Sequence, residues 1–210
     1  QLSVVVPIYN EVDSIPHLAE KLHHTLSRLN RTYEVVLVDD GSSDGSWDKL
    51  IEQAQRFPHF KLIRLRRNFG QTAAMSAGFR ESVGDIVVTL DADLQNDPED
   101  IPLLLARMTD SVDVVSGWRK DRKDTFINRR LPSILANGLI SHITGVHLHD
   151  YGCTLKAYRR EVIKNVHLYG EMHRFIPALA HWVGGQVEEV PVRHHPRRFG
   201  KSKYGIARTV

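Results

Sequence analysis

Asp91-Ala92-Asp93 sets two carboxylates one residue apart, directly after a short apolar run at residues 85–90. Carboxylates at the end of a buried strand are costly to ionise unless a cation or hydrogen-bond donors offset them. Hard oxygen ligands with open positions suit Mg2+ or Mn2+ bridging a pyrophosphate. The plainer alternative is that one Asp caps a helix opening near Pro98 while the other is solvated. A second acidic pair, Asp39-Asp40, follows another apolar run and precedes Gly41-Ser42-Ser43-Asp44-Gly45. Such carboxylates can accept hydrogen bonds from ribose hydroxyls or a base N–H. The Gly/Ser/Asp string is also turn chemistry, and both readings hold together if the turn begins at Gly41. A third polar cluster, Pro7-Ile8-Tyr9-Asn10-Glu11, closes the first apolar run of the chain.

These clusters need strands to present them. Residues 2–8 form an apolar, β-branched run (Val4, Val5, Val6) of the kind found in strands buried on both faces. Asp13 or Ser14 can cap the next helix, Pro16 falls in its first turn, and Leu18, Leu22, Leu26 and Leu29 share one face. The same reasoning predicts strands at 33–38, 61–65, 85–90 and 112–116. It predicts helices at 46–57, at 72–83 and from Pro98 onward, the last with Ile101, Leu104, Leu105 and Met108 inward. Strands separated by helices imply a mostly parallel, Rossmann-like α/β sheet covered on both faces. Ligands of such sheets bind beyond the carboxyl ends of the strands, so strands one, two and four could bring all three clusters to one crevice. After Gly117 the rhythm changes. A dense charged loop at 119–124 precedes a predicted helix at 128–143, a strand at 153–158, a helix at 174–183 and a last strand at 186–192. His173 and Arg174 stand where they could face an acceptor cavity or simply start a helix.

With 210 residues, 41% hydrophobic and 25% charged, the chain is long enough for one substantial core. No apolar run approaches the roughly 18–20 residues that cross a bilayer. No charged-then-apolar leader opens the chain, which speaks against secretion. Cys153 is the single cysteine, so an internal disulfide is excluded and a reducing compartment fits. The formal net charge is +3, yet residues 190–210 hold six basic residues and no acidic one, leaving 22 basic against 25 acidic elsewhere. A basic end suggests an anionic partner such as phosphate, lipid headgroups or nucleic acid, or else a solvated tail. His23-His24 and His194-His195 lack the spacing of metal-ligating pairs.

Several of these segments occur together in a recognisable order: Val6-Pro7-Ile8-Tyr9-Asn10-Glu11, Val38-Asp39-Asp40-Gly41-Ser42, Arg67-Asn68-Phe69-Gly70 and Asp91-Ala92-Asp93-Leu94-Gln95. Asp150-Tyr151-Gly152-Cys153-Thr154-Leu155-Lys156 and Arg198-Phe199-Gly200-Lys201-Ser202-Lys203-Tyr204 extend the pattern through the second half. The combination resembles the family 2 glycosyltransferases, in the branch that acts on undecaprenyl and dolichyl phosphates. The resemblance implies an α/β GT-A fold as a single catalytic domain over 1–210. Residues 1–117 would bind the nucleotide-sugar, and 118–210 would form the acceptor-side half with its basic C-terminal loop. It implies inverting, metal-dependent transfer of a single sugar from a nucleotide-sugar, a UDP-sugar by closeness to bacterial members, onto a polyprenyl phosphate at the membrane surface.

By the same resemblance, Pro7, Tyr9, Glu11, Asp39 and Asp40 would hold the nucleoside, with Ala92 beside the donor. Asp91 would contact the nucleotide-sugar, and Asp93 and Gln95 would coordinate Mg2+ or Mn2+ next to Asp91. Arg119, and Arg129 with Ser133, would bind phosphates at the reacting centre. Arg198 and Lys203 would belong to the loop that closes over the donor. The chemistry of the residues agrees. A divalent cation neutralises a departing diphosphate, and a phosphate monoester, with a second pKa near ~6, is already an anion that needs positioning rather than a general base. The expected setting is the cytoplasmic face of a bacterial inner membrane, with a transmembrane segment following residue 210.

Rival readings make different demands. A dinucleotide-dependent dehydrogenase needs Gly-x-Gly-x-x-Gly after the first strand, where Pro7-Ile8-Tyr9-Asn10-Glu11 stands instead. A processive polysaccharide synthase of the same family carries Gln-x-x-Arg-Trp in its second half, and here Trp182 follows His181. A nucleic-acid binder interleaves aromatics with its basic residues, and only Phe199 and Tyr204 do so in the basic segment. A dolichyl-phosphate mannose synthase-type enzyme using GDP-mannose and a non-catalytic nucleotide-sugar-binding protein stay as alternatives.

Overall fold

The computed structural model describes residues 1–120, 141, 144–164, 166 and 168–199. Among these residues one sheet is built from β1 (Leu2–Ile8), β2 (Tyr33–Asp39), β3 (Phe60–Arg64), β4 (Ile86–Thr89), β5 (Val114–Trp118), β6 (Lys156–Arg159) and β7 (Val187–Pro191). The spatial order is β3-β2-β1-β4-β6-β5-β7. The pairs β1–β2, β1–β4, β2–β3 and β5–β7 are parallel. Only β6 runs the other way, wedged between β4 and β5. The helices are α1 (Ile15–Ser27), α2 (Ser46–Arg56), α3 (Gln71–Glu81), α4 (Ile101–Arg107), α5 (Arg160–Lys164) and α6 (Ile176–Trp182). The mostly parallel α/β sheet expected from the strand–helix rhythm is therefore observed.

Alternation along the central strands divides the core into two layers, because successive side chains point to opposite faces. Val4, Val6 and Ile8 of β1, with Val35 and Leu37 of β2, pack against Leu18, Leu22 and Leu26 of α1, Leu50 of α2 and Ile101 and Leu104 of α4. Val5, Val36 and Val38 face the other way, onto Ala74, Met75 and Ala77 of α3. Small residues let α3 sit close to the sheet. A Cβ on Gly78 would lie 2.3 Å from Val5 Cγ1, so this helical glycine is required by the approach of α3 to β1.

The local signals mark element edges within a few residues, with physical reasons for the differences. Ser14 takes the N-cap position of α1 but makes no capping bond. Its hydroxyl donates instead to the backbone and carboxylate oxygens of Glu11. The helix expected from Pro98 opens as a 3₁₀ turn, Pro98–Asp100, and becomes α-helical at Ile101. Pro102 has no N–H to bond back to Pro98, so the α pattern cannot extend earlier. Pro177 does the same in the second half, where a 3₁₀ turn, Met172–Phe175, precedes α6. The strand expected at 153–158 is shorter, Lys156–Arg159. Of the helix expected at 128–143, all but Ser141 lies outside the described residues. Among the described residues no helix is long and apolar enough to cross a membrane.

Candidate active site

The reversal of β6 decides what meets at the working edge of the sheet. The carboxyl ends of β1, β2, β4, β5 and β7 share one edge, and an antiparallel β6 must begin there. The loop before it, residues 150–155, therefore arrives beside the segments that follow the parallel strands. β1 lies between β2 and β4, which is the kind of switch point where open α/β sheets bind ligands.

A crevice at this edge is lined by Pro7, Ile8, Tyr9 and Glu11 after β1, Asp40 after β2, Asn68, Gly70 and Gln71 at the start of α3, and Asp91, Ala92 and Asp93 after β4. Arg197, from the segment after β7, completes it. The first two clusters are sewn together by local bonds. Asn10, in a left-handed conformation (φ 51°) that asparagine tolerates, receives Ser43 N–H on its side-chain oxygen at 2.9 Å and donates its own N–H to Ser42 Oγ at 2.9 Å. Glu11 N–H donates to Ser46 Oγ at 2.9 Å.

The two strand-end carboxylates of β2 have different surroundings. Asp39 is fully buried, accepts Ser42 N–H at 3.1 Å and lies 3.4 Å from the Arg64 guanidinium. Asp40 accepts Phe69 N–H at 2.8 Å, Gly70 N–H at 2.9 Å and the Asn68 amide at 3.0 Å. It thereby folds the Arg67-Asn68-Phe69-Gly70 segment onto the crevice. Gly41 (φ 69°) makes this approach feasible, since a Cβ there would come within 2.4–2.7 Å of the Arg67 and Asn68 backbone.

The carboxylates after β4 are the electrostatic centre. Asp91 accepts the Gln71 amide at 2.6 Å. Burial raises its pKa, against the pull of the Thr154 hydroxyl, Arg119, Gln71 and Arg197. Asp93 accepts Gln95 N–H at 3.0 Å, a bond that Leu94 allows by adopting φ 62°. A leucine in that region carries backbone strain of order 1–3 kcal/mol. Burial, then the neighbouring Asp91 charge, pushes Asp93 up to about 6. Its second oxygen accepts Arg197 Nη2 at 2.7 Å, and Arg197 Nη1 also donates to Glu11 at 3.2 Å.

Behind these residues the 150–155 loop supplies support. Thr154 Oγ1 accepts the Asn96 amide at 2.8 Å. Asp150 accepts Arg119 Nε at 2.7 Å and Nη2 at 2.9 Å. Burial opposes the Arg119 charge, but the hydrogen bonds and charge of Asp150 outweigh it and raise its pKa. Lys156 is fully buried, which lowers its pKa, and it donates to the carbonyls of Tyr151 and Cys153. Its ammonium thereby holds the loop in place.

The crevice therefore unites Pro7, Tyr9, Glu11, Asp40, Asp91, Ala92 and Asp93, residues singled out from sequence. Asp39, also expected to hold the nucleoside, is fully buried and does not line the crevice, and the Gln95 amide points to the His195 carbonyl at 3.4 Å. Arg198 lines a separate cavity with His17, Lys21 and Phe199. Arg129, Ser133 and Lys203 lie outside the described residues. Sequence reasoning read Asn68 only as part of a motif, without a role in the crevice, and missed Gln71 and Arg197. Gln71 directly follows a motif that was legible, and Arg197 is the neighbour of the arginine that was chosen.

The sequence pattern described as "Glycosyl transferase family 2" matches residues 3–166, most of the chain and all of the crevice except Arg197. The chain belongs to glycosyl transferase family 2. Among curated family members, the dodecaprenyl-phosphate galacturonate synthase of Rhizobium johnstonii is 46% identical over 220 residues, covering 100% of this chain and 63% of that protein. The undecaprenyl-phosphate 4-deoxy-4-formamido-L-arabinose transferase of Edwardsiella ictaluri is 46% identical over 211 residues, covering 100% of this chain and 64% of that protein. The chain thus spans a little under two thirds of the length of these relatives.

Solved structures resemble the family 2 chain more distantly. The glucosyl-3-phosphoglycerate synthase of Mycobacterium tuberculosis, in complex with Mn2+, UDP and phosphoglyceric acid, matches with TM-score 0.73 and 19% identity over 94% of this chain and 71% of that one. A mannosyltransferase of Pyrobaculum calidifontis, in complex with GDP-Man and Mn2+, matches with TM-score 0.65 and 21% identity over 90% of this chain and 54% of that one. At such identities the likeness carries the fold, which is GT-A.

Proposed function

We propose that this family 2 chain transfers a single sugar, with inversion, from a UDP-sugar to a polyprenyl phosphate at the cytoplasmic face of a bacterial inner membrane. The observation that carries the reading is the shared crevice, in which Asp91 and Asp93 face the nucleoside-side residues Pro7, Tyr9, Glu11 and Asp40. The polyprenyl-phosphate chemistry named for the 46%-identical relatives supports the acceptor class.

The residues present fit a divalent cation. Asp91 and Asp93 offer hard oxygen donors, and both resist ionisation through burial. The Arg197 guanidinium already stands as a cation between Asp93 and Glu11. Asp91, Asp93 and Gln95 would hold Mg2+ or Mn2+, which supplies charge neutralisation to the departing diphosphate.

The chain's own groups do the positioning. Pro7, Tyr9, Glu11 and Asp40 frame the nucleoside, with Ala92 beside it, while the buried Asp39 supports the turn that carries Asp40 by accepting Ser42 N–H. Arg119, aimed by Asp150, would work with Arg129 and Ser133 to hold the acceptor phosphate, and Arg198 and Lys203 would belong to a basic segment that closes over the bound donor. A phosphate monoester, with a second pKa near ~6, reaches this site mostly as a dianion, so no side chain needs to take its proton. A phosphate oxygen forms the new bond to the anomeric carbon opposite the leaving group. The bond to the β-phosphate oxygen breaks, and its electron pair departs with the nucleoside diphosphate.

The test is incubation with a short-chain polyprenyl phosphate, Mn2+ and a panel of UDP- and GDP-sugars, with products read by mass spectrometry. A metal-dependent monoglycosylated lipid phosphate from a UDP-sugar is expected. Intact binding of nucleotide-sugars with no transfer from any of them would sink the reading.

A further inference from the structure

Arg197 is the one described crevice residue that comes from the segment after β7. Its guanidinium lies 2.7 Å from an Asp93 oxygen and 3.2 Å from a Glu11 oxygen. The other Asp93 oxygen is engaged by Gln95 N–H, so in this state both oxygens of that carboxylate have donors. Four acids, Glu11, Asp40, Asp91 and Asp93, line the crevice, and Arg197 bridges two of them, Asp93 and Glu11. We propose that Arg197 is a resident counter-cation that has to leave Asp93 before a divalent ion can enter, so that ion binding depends on the donor diphosphate.

Three physical points support this. First, the sites overlap. A divalent ion bound to Asp93 would stand within a few ångströms of the guanidinium, and like charges at that range repel strongly in a half-buried site. Second, Arg197 can swing without refolding the segment that carries it. Upstream, His195 N–H donates to the Gln95 carbonyl at 2.9 Å, His195 Nε2 lies 2.9 Å from Asp97, and Arg193 is held by Asp100 at 2.8 Å. Downstream, Phe199 stacks on His17 at 5.0 Å. Between these anchors a long, 20%-exposed side chain changes partners by rotamer alone. Third, a displaced guanidinium needs an anion. Diphosphate oxygens accept guanidinium donors in pairs, so nucleotide and ion arriving together satisfy both, whereas the ion alone strands Arg197. Such mutual dependence is a coupling free energy between two ligands.

The inference rests on the reading of Asp91 and Asp93 as the cation carboxylates. It is tested by measuring Mn2+ binding from the EPR signal of free ion, with and without UDP, corrected for the Mn2+–UDP complex in solution. In the wild-type chain UDP is expected to tighten Mn2+ binding by about tenfold or more. In Arg197→Ala, Mn2+ alone is expected to bind about tenfold tighter than to wild type, and the UDP enhancement to shrink to roughly twofold. Arg197→Lys keeps a cation in place and is expected to bind Mn2+ alone as wild type does, with melting curves checking that both variants fold. Unchanged Mn2+ affinity in Arg197→Ala, with the UDP enhancement intact, overturns the exchange while leaving the metal assignment standing. Failure of the wild-type chain to bind Mn2+ even with UDP, or wild-type-like binding by Asp93→Asn, overturns the metal assignment itself and the exchange with it.

Discussion

Asp150 holds Arg119 by both ends of the guanidinium fork: Oδ2 accepts Nε at 2.7 Å and Oδ1 accepts Nη2 at 2.9 Å, while Oδ2 also receives the Arg119 backbone N–H at 3.3 Å. Glu189 of β7 fixes Asp150 in turn, accepting its backbone N–H at 3.0 Å and that of His149 at 3.1 Å. The pair is nearly buried, with side-chain exposures of 15% and 2%. Breaking one member of a buried pair leaves a charge uncompensated, at a cost of about 3–5 kcal/mol. Asp150→Asn is therefore expected to lower stability in urea unfolding by about 3 kcal/mol. It should also raise the KM for polyprenyl phosphate more than that for the nucleotide-sugar. Equal effects on the two substrates would remove Arg119 from the acceptor side.

Asp93→Asn removes one of three crowded acids without changing volume. Transfer activity is expected to fall by at least about a hundredfold, because the departing diphosphate loses its neutralising partner. The melting temperature should hold or rise, since burial and the Asp91 charge already oppose ionisation of Asp93. Near-normal turnover in the presence of Mn2+ would contradict the role.

Gly78→Ala puts helix propensity against packing. Alanine in a helix interior gains about 1 kcal/mol over glycine. Here its Cβ would sit 2.3 Å from Val5 Cγ1, and Val5 is fully buried in a central strand, so neither side can give way cheaply. Overpacking costs of about 1–3 kcal/mol should win, and the variant should unfold at lower urea. A stabilised variant would show that α3 can back away from β1.

His173 makes stability depend on pH. Its Nδ1 lies 2.6 Å from Thr72 Oγ1, and burial, then Arg174 and Lys156, push it down to about 3. In the unfolded chain a histidine takes its proton near pH ~6.5. Between those values the unfolded state binds a proton that the folded state does not. Stability is then full above pH ~6.5 and is lost as pH falls, by about 1.4 kcal/mol per pH unit for this one site. His173→Gln should flatten the slope between pH 6.5 and 5 by about that amount in denaturant titrations. An unchanged slope would place the proton uptake elsewhere.

How much was legible in the chain varies with how local the signal is. The β-branched run of β1 and the leucine face of α1 read directly, because burial on two faces or one leaves its own spacing in the residues. Asp91-Ala92-Asp93 and Pro7-Ile8-Tyr9-Asn10-Glu11 could be placed at one edge, because parallel strands end on the same side. Asp40 was legible as a crevice residue. Its three bonds to the 68–70 segment were not, since they join residues about 29 positions apart through a turn that only Gly41 permits.

Types of residue and their order thus determined a parallel α/β sheet, the acidic clusters at its carboxyl edge and the family to which the chain belongs. Which arginine enters the crevice was decided by tertiary structure alone. Arg197 and Arg198 are adjacent and chemically identical, yet one meets Asp93 and the other lines the cavity beside His17. That choice depends on the register of the segment after β7 against residues 95–97, set by His195 and Arg193 gripping Gln95, Asp97 and Asp100. No local pattern in the chain records that register.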